Sequence, residues 1–227
     1  MSWVLNFYRS AVGKKAVMAV TGIALFGFVL AHMLGNLKAY LGADEFNHYA
    51  EWLRTVGSPL FPEKVLLWIF RIGLVAAFGL HVHAAVTLTW LSRRARPERY
   101  KRLTTQTATY ASRTMRWGGV ILALFVLYHL AHFTWGLSWA HPDFVYGDPY
   151  HNLVAGFSVW PVAAIYMVAN LFLGLHLYHG LWSLFQSLGW NPPRFNSWRR
   201  RFAQIFAVVV TAGNLSFPLA VLTGVVS

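Results

Sequence analysis

The 227 residues are 57% hydrophobic and only 11% charged, a balance that a water-soluble domain of this length rarely shows, so the chain is expected to lie in a membrane. With no cysteine it holds no disulfide, no zinc–thiolate site and no iron–sulfur cluster of its own, which leaves histidine-bound or diffusible cofactors for any redox chemistry. The net charge of +12 sits in short segments between apolar runs rather than on one basic face, a pattern of membrane topology and not of nucleic-acid binding.

A span needs roughly 20 apolar residues, and five stretches qualify. The first, residues 16–34, follows Lys14 and Lys15; it is expected to act as its own targeting signal, with no small-residue cleavage site after it. Residues 35–64 carry Asp44, Glu45, Glu51 and Glu63 and, with Gly57, Pro59 and Pro62, read as a turn-rich loop. The second stretch, 65–91, runs into a basic segment from Arg93 to Arg102, and the third covers 117–137. A second acidic, turn-rich connection at 138–158 contains Asp143, Asp148, Pro142, Gly147 and Pro149. The fourth stretch, 159–184, and the fifth, 202–226, are separated by the basic run from Arg194 to Arg201. The positive-inside rule then puts the N-terminus in the cytoplasm and the C-terminus outside. The expected fold is all-α, an integral membrane five-helix transmembrane bundle forming a single domain over residues 1–227. No internal repeat or appended soluble domain is visible, so a catalytic site for a soluble substrate is expected on another polypeptide or not at all.

Each of the first four stretches holds a histidine: His32, His81, His129 and His176. At ~1.5 Å per residue the helix directions place His32 and His129 in the outer half, and His81 and His176 in the inner half. Two facing imidazoles ligate one iron from opposite sides, so depth pairs His32 with His129 and His81 with His176, one haem for each pair. His83, His132 and His179 lie two or three residues away and keep a choice open within His81/His83, His129/His132 and His176/His179. A single intramembrane histidine is equally well explained as interhelical glue; four at two matched depths favour haem. His48, His141 and His151 are loop residues with no assigned role.

Arg71, in the outer half of the second helix and level with His32 and His129, is expected to neutralise an outer-haem propionate, the alternative being that the helix starts late and Arg71 snorkels to the outer interface. Lys38 and Arg54 have a weaker claim there, as do Arg113 and Arg116 at the inner haem. Gly22, Gly27, Gly73, Gly79, Gly118, Gly119 and Gly174 suit either a porphyrin wall or plain helix packing. A histidine-based proton or ion pathway is the reading from another class. It is disfavoured because all seven acidic residues are expected in loops, away from any intramembrane relay.

The segments GKKAVMAVTG, AHMLGNL, NHYAEWL, RRARPERY, YASRTMRWGG, YHLAHFTWG and HLYHGLWSLFQSLGWN resemble those of one group of respiratory anchors. Through nearly its whole length the chain resembles the five-helix, di-haem cytochrome b subunit of succinate dehydrogenase/fumarate reductase. The resemblance implies His32 in AHMLGNL, His81 in GLHVHAAVTL, His129 in YHLAHFTWG and His176 in LHLYHG as ligands of two haem b groups, with the pairing above. It implies flavoprotein and iron–sulfur subunits docked on the cytoplasmic face, and electrons passed through both haems to a quinone, usually menaquinone. The chain itself would be non-catalytic towards succinate, a multi-pass subunit in lipid of the bacterial inner membrane, compatible with a higher oligomer of the complex. The cytochrome b anchor of another dehydrogenase is the nearest rival. Some relatives carry an intrahelical carboxylate that relays protons; Gly174 stands where one would be sought, so that path is not carried over.

Overall fold

The computed structural model describes residues 2–95 and 110–227, and the side chains of residue 2 and of residues 110–113 are not among those described. The later part of the basic segment ending at Arg102, part of the RRARPERY motif, Glu98 and the Arg113 side chain therefore lie outside the described residues. Everything described is helix, turn or irregular chain, and five helices are long and apolar enough to cross a membrane.

A short amphipathic helix, α1 (Ser2–Arg9), precedes the first span and leaves Trp3 and Phe7 exposed. Ser10 ends it and caps the next helix, its hydroxyl donating to the Phe7 carbonyl (2.6 Å) and accepting from the Gly13 amide (2.9 Å). The long apolar run then forms α2 (Ala11–Asn36), tightens into a 3-10 turn (Leu37–Leu41) and stops at Gly42, whose φ of 97° suits a residue without Cβ. What composition marks as the first outer loop contains a helix, α3 (Ala43–Thr55), so Asp44, Glu45 and Glu51 are helical rather than in a loop. Asp44 and Glu45 fall in its first turn, where the helix dipole favours negative charge.

The second span is α4 (Val65–Arg94) and the third α5 (Tyr110–His129). At Leu130 the α-helix gives way to one π turn (Leu130–Thr134), closed by the Trp135 amide on the Leu130 carbonyl at 2.8 Å. The second expected loop also contains a helix, α6 (Pro149–Ser158), capped by Asp148 and begun by proline, the residue best suited to a first helical position. The last spans are α7 (Trp160–Ser187) and α8 (Asn196–Leu222).

The most extensive packing joins α7 to α8, α2 to α4, and α5 to α7, whereas contact between α4 and α7, and between α2 and α5, is sparse. Met33, Tyr166, Leu177, Val210 and Phe217 form much of the buried core. Two helices close one end of the bundle, because Asn47 of α3 donates to Asp148 (2.9 Å) and accepts from the Tyr150 amide of α6 (3.0 Å). The Tyr150 hydroxyl reaches the Ser227 carbonyl (3.1 Å), bringing the C-terminus to this cap end.

The opposite, basic end gathers Lys14, Lys15, Arg93, Arg94 and Arg199 to Arg201. Arg199 is only 2% exposed and donates to the Trp190 carbonyl (2.5 Å), Asn191 Oδ1 (3.1 Å) and Asn196 Oδ1, binding the α7–α8 connection to the start of α8. It is a structural clamp as well as a positive charge.

Candidate functional site

The four intramembrane histidines meet in two pairs. Near the cap end, His32 of α2 and His129 of α5 have ring centroids 5.9 Å apart, with their planes at 82°. Nearer the basic end, the centroids of His81 of α4 and His176 of α7 are 6.3 Å apart, with planes at 58°. Two metal–nitrogen bonds of about 2 Å, plus about 1 Å from each nitrogen to its ring centre, put two trans imidazoles about 6 Å apart. Both pairs match that spacing.

Each pair spans two helices that barely touch, α2 with α5 and α4 with α7, so backbone does not fill the space in which a flat macrocycle would stand. A Cβ added at Gly27, Gly73, Gly79 or Gly119 would meet nothing within 4 Å, and at Gly22 it would approach His81 Cε1 at 3.6 Å. Gly174 differs: a Cβ added there would run into the Thr211 hydroxyl of α8, so the two helices approach closely at that point. Two helices give the same separation of levels. His32 lies eleven residues from Thr21, which touches His81, and Tyr166, which touches His129, lies ten from His176; each is about 15 Å of helix.

Hydrogen bonds orient the rings. His81 Nδ1 is 3.2 Å from both the Met18 carbonyl and Thr21 Oγ1. A proton on Nδ1, donated to that carbonyl, leaves Nε2 unprotonated and free to bind a metal, the usual outer support of a metal-binding imidazole. His129 Nδ1 is 3.2 Å from the Tyr166 hydroxyl. His176 Nδ1 is buried with no hydrogen-bond partner among the described residues. The donor set, spacing and open inter-helical space fit two bis-histidine haems.

The neighbouring histidines face elsewhere. His83 is exposed and stacks on Tyr8, whose hydroxyl is 2.5 Å from His83 Nδ1. His132, 1% exposed, is held between Tyr128 (centroids 5.6 Å apart) and His141 (4.5 Å). The π turn that begins between His129 and His132 sets the second ring against α6, where a Cβ at Gly156 would lie 2.7 Å from its Cε1. His179 is half-buried on α7.

Arg71 is exposed and lays its guanidinium 5.2 Å from the centre of the Trp68 ring on its own helix. Lys38 pairs with Glu45 at 3.5 Å, and Arg116 is exposed. None of the six described acidic residues lies in a membrane-spanning helix.

At the cap, outside the spans, burial holds the His141 imidazole below its ordinary pKa, outweighing the His132 carbonyl and Asp143, which favour its charged form. Its Nδ1–H donates to the His132 carbonyl at 3.3 Å. The Asp148 carboxyl is held below its ordinary value by the His151 amide and then by the Asn47 side chain. The residues that composition and spacing overlook are Thr21, Tyr128 and Tyr166. Tyr166 repeats on α7 the ten-residue interval between the two histidine levels, a signal available before folding is considered.

Fold and site together define a multi-pass membrane bundle with paired histidines at two depths. Residues 91–215, more than half of the chain, match the family described as the succinate dehydrogenase/fumarate reductase transmembrane subunit, and the chain belongs to that family. Comparisons with curated proteins and with solved structures return no match.

Proposed function

We propose that this chain is the di-haem cytochrome b anchor of a succinate:quinone oxidoreductase, linking a cytoplasmic flavoprotein and iron–sulfur pair to menaquinone in a bacterial inner membrane. The observation that carries this reading is the pair of imidazole pairs, His32 with His129 and His81 with His176, at about 6 Å centroid separation and two depths. Bound there, haem supplies one-electron redox chemistry. The chain's own part is to fix four imidazoles, exclude water by the apolar bundle, and place the two levels about 15 Å apart along the electron path.

The basic end faces the cytoplasm in this reading, following the positive-inside rule, and receives the soluble subunits. Arg71, ten residues from His81 towards the cap, stands at the level of the outer pair and is assigned to a propionate there. The family match favours a succinate or fumarate complex over the anchor of another dehydrogenase. Purification of the complex through a tag on this chain tests the proposal. Co-purifying flavin and iron–sulfur subunits with succinate-driven menaquinone reduction are expected; a membrane-inserted chain that brings neither contradicts it.

A further inference from the structure

We propose that Tyr166 is the positioning residue of the outer haem ligand: its hydroxyl dictates which nitrogen of His129 faces iron and tunes the electron density there. The inference rests on the haem assignment above and goes beyond it to a residue that makes no metal contact.

A phenol has one proton to donate, yet the Tyr166 hydroxyl lies within hydrogen-bond distance of two ring nitrogens, His129 Nδ1 (3.2 Å) and His132 Nδ1 (3.0 Å). It therefore donates to one and accepts from the other. If it donated to His129, that ring would carry its proton on Nε2 and be closed to iron. Ligation through Nε2 sets the opposite polarity: His129 Nδ1–H donates to the phenol oxygen, and the phenol O–H donates to His132 Nδ1. His132 then keeps its proton on Nε2, which faces the α6 backbone at Gly156.

The surroundings leave these groups little freedom. Tyr166 is 4% exposed and wedged edge-on between Phe125 (4.9 Å) and Phe157 (5.0 Å), while His132 is clamped between Tyr128 and His141. A π turn, a backbone feature frequent at functional sites, separates the two histidines that share this hydroxyl. The inner level is built differently: His81 relies on the Met18 carbonyl, which no substitution removes. The Tyr166 hydroxyl reaches only the outer pair, and the Thr21 hydroxyl beside His81 is backed by a carbonyl at the same distance.

An acceptor on Nδ1–H makes the ligand nitrogen more basic and favours oxidised iron. Replacing Tyr166 by phenylalanine deletes the acceptor and keeps the ring. In the purified complex, a potentiometric titration of the haem visible bands is expected to show both haems present and low-spin. The outer haem of Tyr166→Phe should shift towards the reduced form by roughly three- to tenfold in its equilibrium constant, tenfold being about 59 mV for one electron. The inner haem should not move. The outer haem is identified as the one lost in His32→Ala.

Tyr128→Phe, which stacks on His132 outside the hydrogen-bond chain, is expected to leave both potentials unchanged. An unmoved outer haem in Tyr166→Phe, or an equal shift of both haems, overturns the proposal. If Tyr166→Phe does not accumulate, His132→Leu removes the acceptor of the phenol proton, and a smaller shift of the same sign is expected; no shift there overturns it equally. A wild-type complex without haem removes the haem assignment, and this proposal with it.

Discussion

His81 and His176 face each other with ring centroids 6.3 Å apart although their helices, α4 and α7, scarcely touch. In a close-packed bundle such a gap is costly unless something fills it. If haem fills that gap, as proposed, the two pairs hold their haems independently. His81→Ala or His176→Ala is expected to remove the inner haem and keep the outer, while His32→Ala or His129→Ala does the reverse. Haem content per chain checks this, and a single variant retaining two six-coordinate haems rejects that residue as a ligand.

Gly156 should not tolerate a methyl group. An alanine Cβ would lie 2.7 Å from His132 Cε1, and that ring cannot retreat because Tyr128 and His141 stack on its two sides. Gly156→Ala is expected to cost about 1–3 kcal/mol, the usual range for overpacking, visible as a lower thermal midpoint of the detergent-solubilised protein.

Arg199 binds two oxygens of the α7–α8 connection and one at the start of α8, and lies 2% exposed, its guanidinium carbon 5.5 Å from the centre of the Trp182 ring. Arg199→Lys keeps the charge and loses the planar fork, so it is expected to destabilise by about 2 kcal/mol or more, since hydrogen bonds from charged donors contribute about 1.5–3 kcal/mol each. Unfolding midpoints of Arg199→Lys and the exposed Arg200→Lys, measured side by side, check the difference.

Acidification should loosen the cap in two stages. His141 is held below 6.5 in the folded chain, so the unfolded state binds its proton first; stability is intact above about 6.5 and declines as pH falls towards the lower folded value. Asp148 is held below 3.8, so its contribution is present above that value and is lost as pH falls through the lower folded one. Amide exchange in α3 and α6 followed against pH is expected to rise in both windows. Asp148→Asn should abolish the lower one alone.

The spans were legible because hydropathy is a property of single segments. The cap helices were not: in α3 the apolar positions Phe46, Tyr49 and Leu53 recur at helical spacing, but over only 13 residues between turn-forming sequences. Their order comes from distant partners, Asn47 with Asp148 above all. The histidine levels could be read from helix direction and rise, whereas nothing local announces the π turn that separates the surroundings of His129 and His132. Arg199 reads as one more cytoplasmic positive charge until Trp190 and Asn191 fold back over it. Tyr166 stands ten residues from His176 in the sequence, but it reads as an ordinary aromatic in an apolar run until its partners on α5 give that interval a meaning.

The central claim, that four imidazoles hold two haems, is tested most directly by a dithionite-reduced minus oxidised visible spectrum of the purified complex, with haem quantified per copy of this chain. Two b-type, low-spin haems per chain are predicted. A fully membrane-inserted chain with none contradicts the account and leaves His32, His81, His129 and His176 to a metal-free role.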